Sequence, residues 1–491
     1  MAYPGYLSLM RRPLDRRKND WYVDANRGSD SNPGQSRSQP FATIAKLETV
    51  WQAGQSVGLA RGSHWREELN VPGAGCTVAA YGSGARPILD GSNLIESGAW
   101  SKTAGRTNVY QVNLSPEWYG SGKDWLNVFE DDWYLQRVAD LATCDSTPGS
   151  YYPSGSSGTI ILYVHATGSG NPASNGKAYE YTHRKFGLDA YSHGYCRISG
   201  IHTTKSLHND GSLRGGMFSI LRNSKASLGS LHNIYVRSGS TLVGCIAQDG
   251  YCGSTNLSLY VGNENSPNNE GLTFVNCQAI SSAFDAHTTG FYCHRNVSGS
   301  FGTVIYQGCS AVNCNVGFHA DHVSQVLAGD LRLSGCSYGV RMGGYNWTLD
   351  GALVEGACSR VVEFLGAASA QISNLDVDIV ANNSLLIFAN SAAASAVIAN
   401  CSFRASSYSG MNRIVYSNYA GVSFQVSGCV FQSDGFGNYY YLPIIGSLVS
   451  DGNCFDAESK TFHINGANYS SVSLWKAAGY DANSVVGGCA P

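Results

Sequence analysis

Apolar and polar positions alternate along this chain in short runs, and the runs keep restarting on one phrase instead of extending into a helical period. Between Cys245 and Cys454 a cysteine follows a small or amide residue at Gly244-Cys245, Asn276-Cys277, Gly308-Cys309, Gly335-Cys336, Asn400-Cys401, Gly428-Cys429 and Asn453-Cys454, with Ala357-Cys358 a looser copy. A short, largely apolar stretch precedes most of them, as in Leu272-Thr-Phe-Val and Val397-Ile-Ala. Apart from one double-length gap the cysteines lie about 22 to 32 residues apart, which is the period of a solenoid coil. Coils of that length, written as short strands with Gly, Ser and Asn between them, predict an all-β chain folded as a right-handed parallel β-helix. Successive coils then stack at roughly 4.8 Å, and equivalent positions become ladders. Counting repeats gives about a dozen coils.

The pattern divides the chain into four stretches. Residues 1–20 form a basic N-terminal arm with Arg11, Arg12, Arg16, Arg17 and Lys18, read either as a solvated tail or as a docking peptide. Residues 21–99 hold an N-terminal cap and the first coils: Pro40 suits the first turn of a helix whose apolar face includes Ile44, Leu47 and Trp51. Such a helix would plug an end that otherwise exposes core and strand edge. Coils follow at Ser56-Val-Gly-Leu-Ala, Cys76-Thr-Val-Ala-Ala-Tyr and Pro87-Ile-Leu-Asp-Gly. Residues 100–185 break the rhythm with isolated strands (Asn108-Val-Tyr-Gln-Val, Trp133-Tyr-Leu-Gln-Arg-Val, Thr159-Ile-Ile-Leu-Tyr-Val) and predict an inserted antiparallel β subdomain. Trp118, Trp125, Trp133, Tyr151 and Tyr152 would form its core or serve as sugar platforms. Residues 186–491 are the main β-helix and its C-terminal cap.

Composition narrows the picture. The 58 glycines and 13 prolines with only 14% charged residues describe many tight turns, and 43% hydrophobic residues argue against disorder. A net charge of −3 does not point to nucleic acid, and no apolar stretch is long enough to span a membrane. The 15 cysteines are odd in number and fall mostly at inward strand positions, so free core thiols are expected ahead of disulfides. Met1-Ala-Tyr-Pro-Gly carries no apolar signal core, which adds the expectation of folding in a reducing cytoplasm.

Two segments carry a resemblance. Trp21-Tyr-Val-Asp-Ala-Asn-Arg-Gly-Ser-Asp, Gln39-Pro-Phe-Ala-Thr-Ile-Ala-Lys-Leu and Ala53-Gly-Gln-Ser-Val resemble the opening of pectate-lyase-like β-helix proteins, and Trp475-Lys-Ala-Ala-Gly-Tyr-Asp-Ala-Asn-Ser-Val-Val resembles their closing segment. The architecture, with a short anchor before the solenoid, is similar to that of phage tailspike depolymerases.

Aligning coils on inward residues places Phe284, Phe318, Val340 and Val362 in one column and Ala286, Ala320, Met342 and Phe364 in another. The outward column between them would read Asp285, His319, Arg341, Glu363, and the next would begin His287, Asp321. Two His and two Asp would then meet across adjacent coils, flanked by Arg341 and His322. A His held by carboxylates beside a cation can act as a general base; a solvated salt-bridge ladder would look the same in sequence. Ala283-Phe-Asp-Ala-His-Thr and Gly317-Phe-His-Ala-Asp-His resemble the catalytic segments of alginate C5-epimerases. The resemblance carries that family's Asp and His onto Asp285 and His287 and its second Asp onto Asp321. The family's Tyr falls on Ser282, its Pro on Ala286 and its acidic residue on Thr288, with Tyr292, His319 or His322 as stand-ins for the Tyr.

The expected site is therefore His287 as base, Asp285, Asp321, His319 and Arg341 around it, and His322, Tyr292, Glu363 and Tyr345 on the substrate. Removing a proton α to a uronate carboxylate needs a base and neutralised charge. Hydrolysis would instead use paired carboxylates, from Asp285 with Asp321, or Asp350 with Glu355 and Glu363. No cofactor is required by this chemistry and no zinc spacing is present. Asp376 and Asp378 alternate on one strand and could bind calcium, with a solvated face the plainer reading. Tyr439, Tyr440 and Tyr441 either pack or stack on sugar.

Three function readings remain. The first is a tailspike-type receptor-binding protein that binds and depolymerises an acidic host-surface polysaccharide, as lyase or glycosidase. The resemblance implies a homotrimer attached to the virion tail through its N-terminal arm, made in the host cytoplasm and acting at the cell surface. The second is a free, extracellular uronan lyase or C5-epimerase. The third is a non-catalytic glycan-binding adhesin or structural spike.

Overall fold

A computed structural model describes residues 18–115, 126–156, 159–207, 211–250, 257–264, 270–295, 301–343, 346–366, 368–379, 385–391, 393–405, 413–432, 438–442, 445–456, 458, 461–487 and 489. The chain is all-β, a right-handed-type solenoid of about 14 turns in parallel sheet, with three short helices among the described residues. It divides into two units, residues 1–234 with 251–253, and residues 235–250 with 254–491. The division falls well inside the stretch that the sequence assigns to the main helix.

The first unit begins with the strand Trp21–Val23, laid parallel on Ser56–Ala60, which pairs in turn with Thr77–Tyr81. The capping helix is present but starts later than Pro40 suggests, at Ile44–Glu48. Thr43 is its N-cap: the Thr43 hydroxyl accepts from the Lys46 amide at 3.0 Å, and Asp30 accepts from the Thr43 hydroxyl and amide. Ile44 and Leu47 are fully buried, and Trp51, beyond the helix, is buried too. The expected insertion runs from Ser92–Leu94 to Tyr179–Thr182 as a four-stranded and a five-stranded sheet, with antiparallel pairing predominant. Tyr151 lies in its core, Tyr152 stacks on Tyr163 at 6.0 Å, and Trp133 is 52% exposed. Trp118 and Trp125 lie outside the described residues.

In the second unit the repeated phrase has a backbone cause. Gly244, Asn276, Gly308, Gly335, Asn400 and Gly428 all sit at φ between 51° and 63°. Only Gly, and to a lesser degree Asn, adopts that left-handed conformation cheaply, and it bends the chain at a coil corner. The cysteine that follows each is at most 2% exposed. The cysteines form two columns, not one. Cys245, Cys277 and Cys309 precede the paired residues Ile246, Gln278 and Ser310, whereas Cys314, Cys336 and Cys358 precede Val316, Tyr338 and Arg360.

Twelve described cysteines are free and buried, as expected, but Cys454 and Cys489 form a disulfide. Register explains the exception. Cys454 pairs with Val430, one position past Cys429, and a one-residue offset turns a strand residue to the opposite face. Inside the coils, ring stacks carry the core: Phe291 lies 4.5 Å from Tyr260 and 4.7 Å from Phe318. The chain closes on the helix Val472–Ala477, whose buried Trp475 stacks on Tyr480 at 4.1 Å.

Candidate functional site

The outward column predicted from sequence exists from His319 onward, and its first member is corrected. Phe318, His319 and Ala320 pair with Val340, Arg341 and Met342, which pair with Val362, Glu363 and Phe364. In the preceding coil, however, Phe291, Tyr292 and Cys293 occupy these positions, in place of Phe284, Asp285 and Ala286. The strand Gln278–Arg295 is 18 residues long, its partner Ser310–Asp321 only 12, and two register shifts around Asp285 absorb the difference. Asp285 is paired at Cys314, and its side chain lies outside the described residues. His287 is exposed and falls opposite the Cys314–Val316 stretch, away from the Asp321 level. The Asp-Ala-His segment and the Ala-Asp segment that resemble epimerase motifs are therefore not in register. Tyr345 lies outside the described residues.

Tyr292, His319 and Asp321 do come together. Alternation along Ser310–Asp321 buries Phe318 and Ala320 and turns His319 and Asp321 out. His319 Nε2 lies 3.2 Å from Asp321 Oδ1, the Tyr292 hydroxyl donates to Asp321 Oδ2 at 3.4 Å, and the Tyr292 and His319 rings are 5.0 Å apart. Gly343 faces Asp321 from the next coil, where a Cβ would stand 1.9 Å from Asp321 Oδ1, so only glycine leaves room for this carboxylate. Burial favours the protonated form of Asp321, but the His319 contact, the charges of His319 and His322 and the Tyr292 hydroxyl outweigh it, and Asp321 is held below the usual carboxylate range. Burial and the adjacent Asp321 push the Tyr292 phenol up to about 12. His322, at φ 54°, ends the strand exposed.

Arg341 and Glu363 are already engaged with each other. Glu363 is 1% exposed and accepts from Arg341 Nε at 2.7 Å and from Arg360. Both guanidiniums lie over the Tyr338 ring, at 4.7 and 5.2 Å. Glu363 is thus a buried counter-ion, unsuited to direct substrate contact, and the group retains one net positive charge.

The column then runs on where sequence reading stopped. Glu363 pairs with Phe388, Phe388 with Tyr416, Tyr416 with Tyr441 and Tyr441 with His463. The rings stack from coil to coil at 5.3, 5.7 and 4.8 Å. Arg360 lies 4.4 Å over Phe388, and Arg413 lies 3.7 Å over Tyr441. The signal was legible: Ile387-Phe388, Val415-Tyr416, Tyr440-Tyr441 and Phe462-His463 each put an inward apolar residue before the outward one. Tyr439 and Tyr440 are fully buried, so of the three consecutive tyrosines only Tyr441 faces out.

The other candidates are spent elsewhere. Asp350 accepts from Ser373 at 2.9 Å and Asn374 at 2.6 Å, and Asp376 meets Arg404 at 3.1 Å. Among the described residues no group of three His, Cys, Asp or Glu side chains converges. The first unit holds a charged cluster the sequence did not reveal. Glu180 from the insertion takes Lys205 at 2.7 Å and Arg66 at 3.1 Å, while Asp90 takes Arg66 at 3.2 Å and His64 at 2.9 Å. Asp90, Glu180 and Lys205 are at most 5% exposed, and their mutual pairing reads as the joint that seats the insertion on its coils. Beside it lies an open cleft of about 530 Å³ lined by Glu48, Arg66, Glu67, Glu68, Arg184 and Lys185 among others.

No protein-family model matches the sequence, and a search of curated proteins finds no relative. Among solved structures, the XylC–xylose complex aligns with a TM-score of 0.60 at 11% identity, covering 96% of this chain and 86% of that one. A GH136 lacto-N-biosidase from Eubacterium ramulus aligns at 0.33 and 12% identity, over 88% and 67% of the two chains. The tailspike gp49 from Pseudomonas phage LKA1 aligns at 0.29 and 12% identity, over 86% and 72%. At such identities the first likeness establishes the parallel β-helix fold and nothing finer, and the other two are too distant to carry an argument.

Proposed function

We propose that this β-helix binds an acidic polysaccharide and depolymerises it by β-elimination at the Tyr292–His319–Asp321 cluster. The observation that supports the reading most is the His319–Asp321 pair, outward-facing and followed in the next coil by a guanidinium group with net positive charge. Asp321, kept ionised, orients the His319 imidazole as general base. His319 removes the proton α to a uronate carboxylate while Arg341 offsets the carboxylate charge. The carbanion electrons form the C4–C5 double bond, the C4–O bond breaks, and the leaving oxygen takes its proton from Tyr292, whose phenol stays protonated at neutral pH. His322 stands at the rim as a substrate contact. This reading moves the base from His287 to His319. In the wider proposal the protein works as a homotrimeric, tailspike-type receptor-binding protein, attached to a virion tail through residues 1–20. Those residues lie almost wholly outside the described part of the chain.

The test is a panel of acidic and neutral bacterial surface polysaccharides incubated with wild type, His319→Ala, Asp321→Asn and His287→Ala. Chain length, reducing ends and unsaturated-uronate absorbance are followed together. Absorbance lost in the first two variants but kept in His287→Ala is the expected result. Reducing ends without absorbance would replace the lyase by a glycosidase. Full activity in His319→Ala would remove the cluster from the chemistry, and binding without any product would make the protein an adhesin.

A further inference from the structure

The part of the column beyond Glu363 is not used by that chemistry, yet it is the most unusual surface among the described residues of the second unit. Two neighbouring outward columns on another face read Asn346, Ser369, Ser395, Ser423, Ser447 and Thr348, Gln371, Val397, Gln425, Val449. Neither contains a charge or a ring. Among these strand columns the stacked outward rings run along a single line instead, while charge occurs both there and on the face that carries Asp376, Asp378 and Arg404.

Along that line each coil contributes one flat group: Phe388, Tyr416, Tyr441 and His463 in turn. At roughly 4.8 Å per coil, the four steps from Glu363 to His463 span about 19 Å, and the whole column from Tyr292 about 34 Å. The rings lie face to face, so their edges and hydroxyls, not their faces, meet solvent. The Tyr416 hydroxyl accepts from the Asn418 amide, which leaves its own proton to be donated outward. His463 Nδ1 meets Asn468 Oδ1, which fixes the ring in place. Arg360 lies over the Phe388 ring, and Arg413 lies within 4.9 Å of the Tyr416 centroid and 3.7 Å of the Tyr441 centroid. A guanidinium held this way is already oriented and surrenders little freedom when it grips a carboxylate with two hydrogen bonds. Arg341 and Arg360 share the one carboxylate of Glu363, so the line is net positive at those two coils.

From this geometry we infer that Arg360, Arg413, Tyr416, Tyr441 and His463 form a linear track for an anionic polysaccharide, which lies along the stacking direction of the coils with its carboxylates on the arginines and its hydroxyls on the tyrosines. The inference rests on the reading that the Tyr292–His319–Asp321 face handles acidic glycan, and adds where the chain lies on the C-terminal side and what reads its charge. A purely structural ladder would have the same stacks but no preference for a charged ligand.

The test measures binding of a panel of carboxylated bacterial polysaccharides, each beside its carboxyl-reduced form, to wild type, Arg413→Gln, Tyr441→Ala and Gln425→Ala. At least one acidic member should bind and its reduced form should not. Arg413→Gln should weaken binding about ten- to hundredfold, the loss expected for a charge-assisted pair, and raising salt should weaken the wild type further. Gln425→Ala, exposed on the uncharged face, should bind like wild type. Arg413→Lys, which keeps the charge without the planar guanidinium, should fall between, with unchanged melting as the folding control. Equal binding of acidic and reduced forms, or wild-type affinity in both track variants, overturns the track. Wild-type binding that obeys the track without any cleavage would leave the track standing and sink the elimination chemistry alone.

Discussion

At the scale of single residues, the site depends on one missing side chain and on the ionisation of Asp321, while a second shifted group, His202, bears on the stability of the first unit. Gly343 is the position where a methyl group would collide with the Asp321 carboxylate. Gly343→Ala should therefore push Asp321 off His319, lowering turnover by an amount close to Asp321→Asn while the melting temperature changes little. Equal loss of stability and activity would show a packing role instead. Asp321 has its native pKa depressed, so its contribution to stability is full above the unfolded value of about 3.9 and disappears as pH falls through the lower native value. His202 follows the same protonation sense for the opposite reason, because here burial disfavours the charged form. Burial, aided by the charges of Lys225 and Arg86, lowers it from 6.5 to about 4, so the native state holds the neutral ring against Ser227 at 2.8 Å. Between these values the unfolded chain binds the extra proton, and stability falls as pH drops from 6.5 towards 4. Urea midpoints at several pH values should show this slope, and His202→Gln should flatten it. A slope unchanged in that variant would assign the pH dependence to other groups.

At the scale of coils, what could be read in the sequence was set by whether a rule of fixed period applied. The small-or-amide residue before each cysteine was legible because a left-handed corner admits few residue types, and the corner recurs once per coil. The outward column was legible from His319 to Glu363 because the strands there pair without a register shift and keep period two. It failed at Asp285 because the strand Gln278–Arg295 carries extra residues, and two phenylalanines offered themselves for one inward position. Nothing in the local pattern says that Phe291 wins; the stack on Tyr260 and Phe318 decides it. Phe291→Ala should accordingly cost about 3–5 kcal/mol in chemical denaturation. At the corners, Asn400→Gly should be close to neutral, and Asn400→Val should cost about 1–2 kcal/mol, because a β-branched residue resists φ of 55°. A neutral valine there would mean that the corner relaxes and that the repeated phrase reflects packing alone.

At the scale of the whole chain, groups far apart in sequence escape any local reading. Arg66 and Glu180 are 114 residues apart, and the cluster they join became visible only once the insertion was in place. The disulfide is a similar case, since its two cysteines are separated by 35 residues and the rhythm assigns Cys454 to the buried column. Its place suggests a staple on the last coils. Cys454 pairs with Val485, so the bond fastens the final strand, and the loop between holds the Trp475 helix and the buried Asp481, which accepts from Ser450 and from the Trp475 indole. Closing a loop of this length is worth about 4 kcal/mol on the chain-entropy account. In a solenoid each coil leans mainly on its neighbours, so loss of the staple should loosen the C-terminal coils first and reach the Tyr292–His319–Asp321 cluster weakly. Hydrogen exchange of Cys489→Ser, or of wild type with reductant, should speed up over residues 461–487 and leave residues 316–343 nearly unchanged. The twelve described free thiols are buried, and among the described residues the reductant has one bond to break. Acceleration spread evenly from 316 to 487 would mean that these coils unfold as one body, and no acceleration at all would mean that the Trp475–Asp481 contacts hold the end closed without the sulfur bridge.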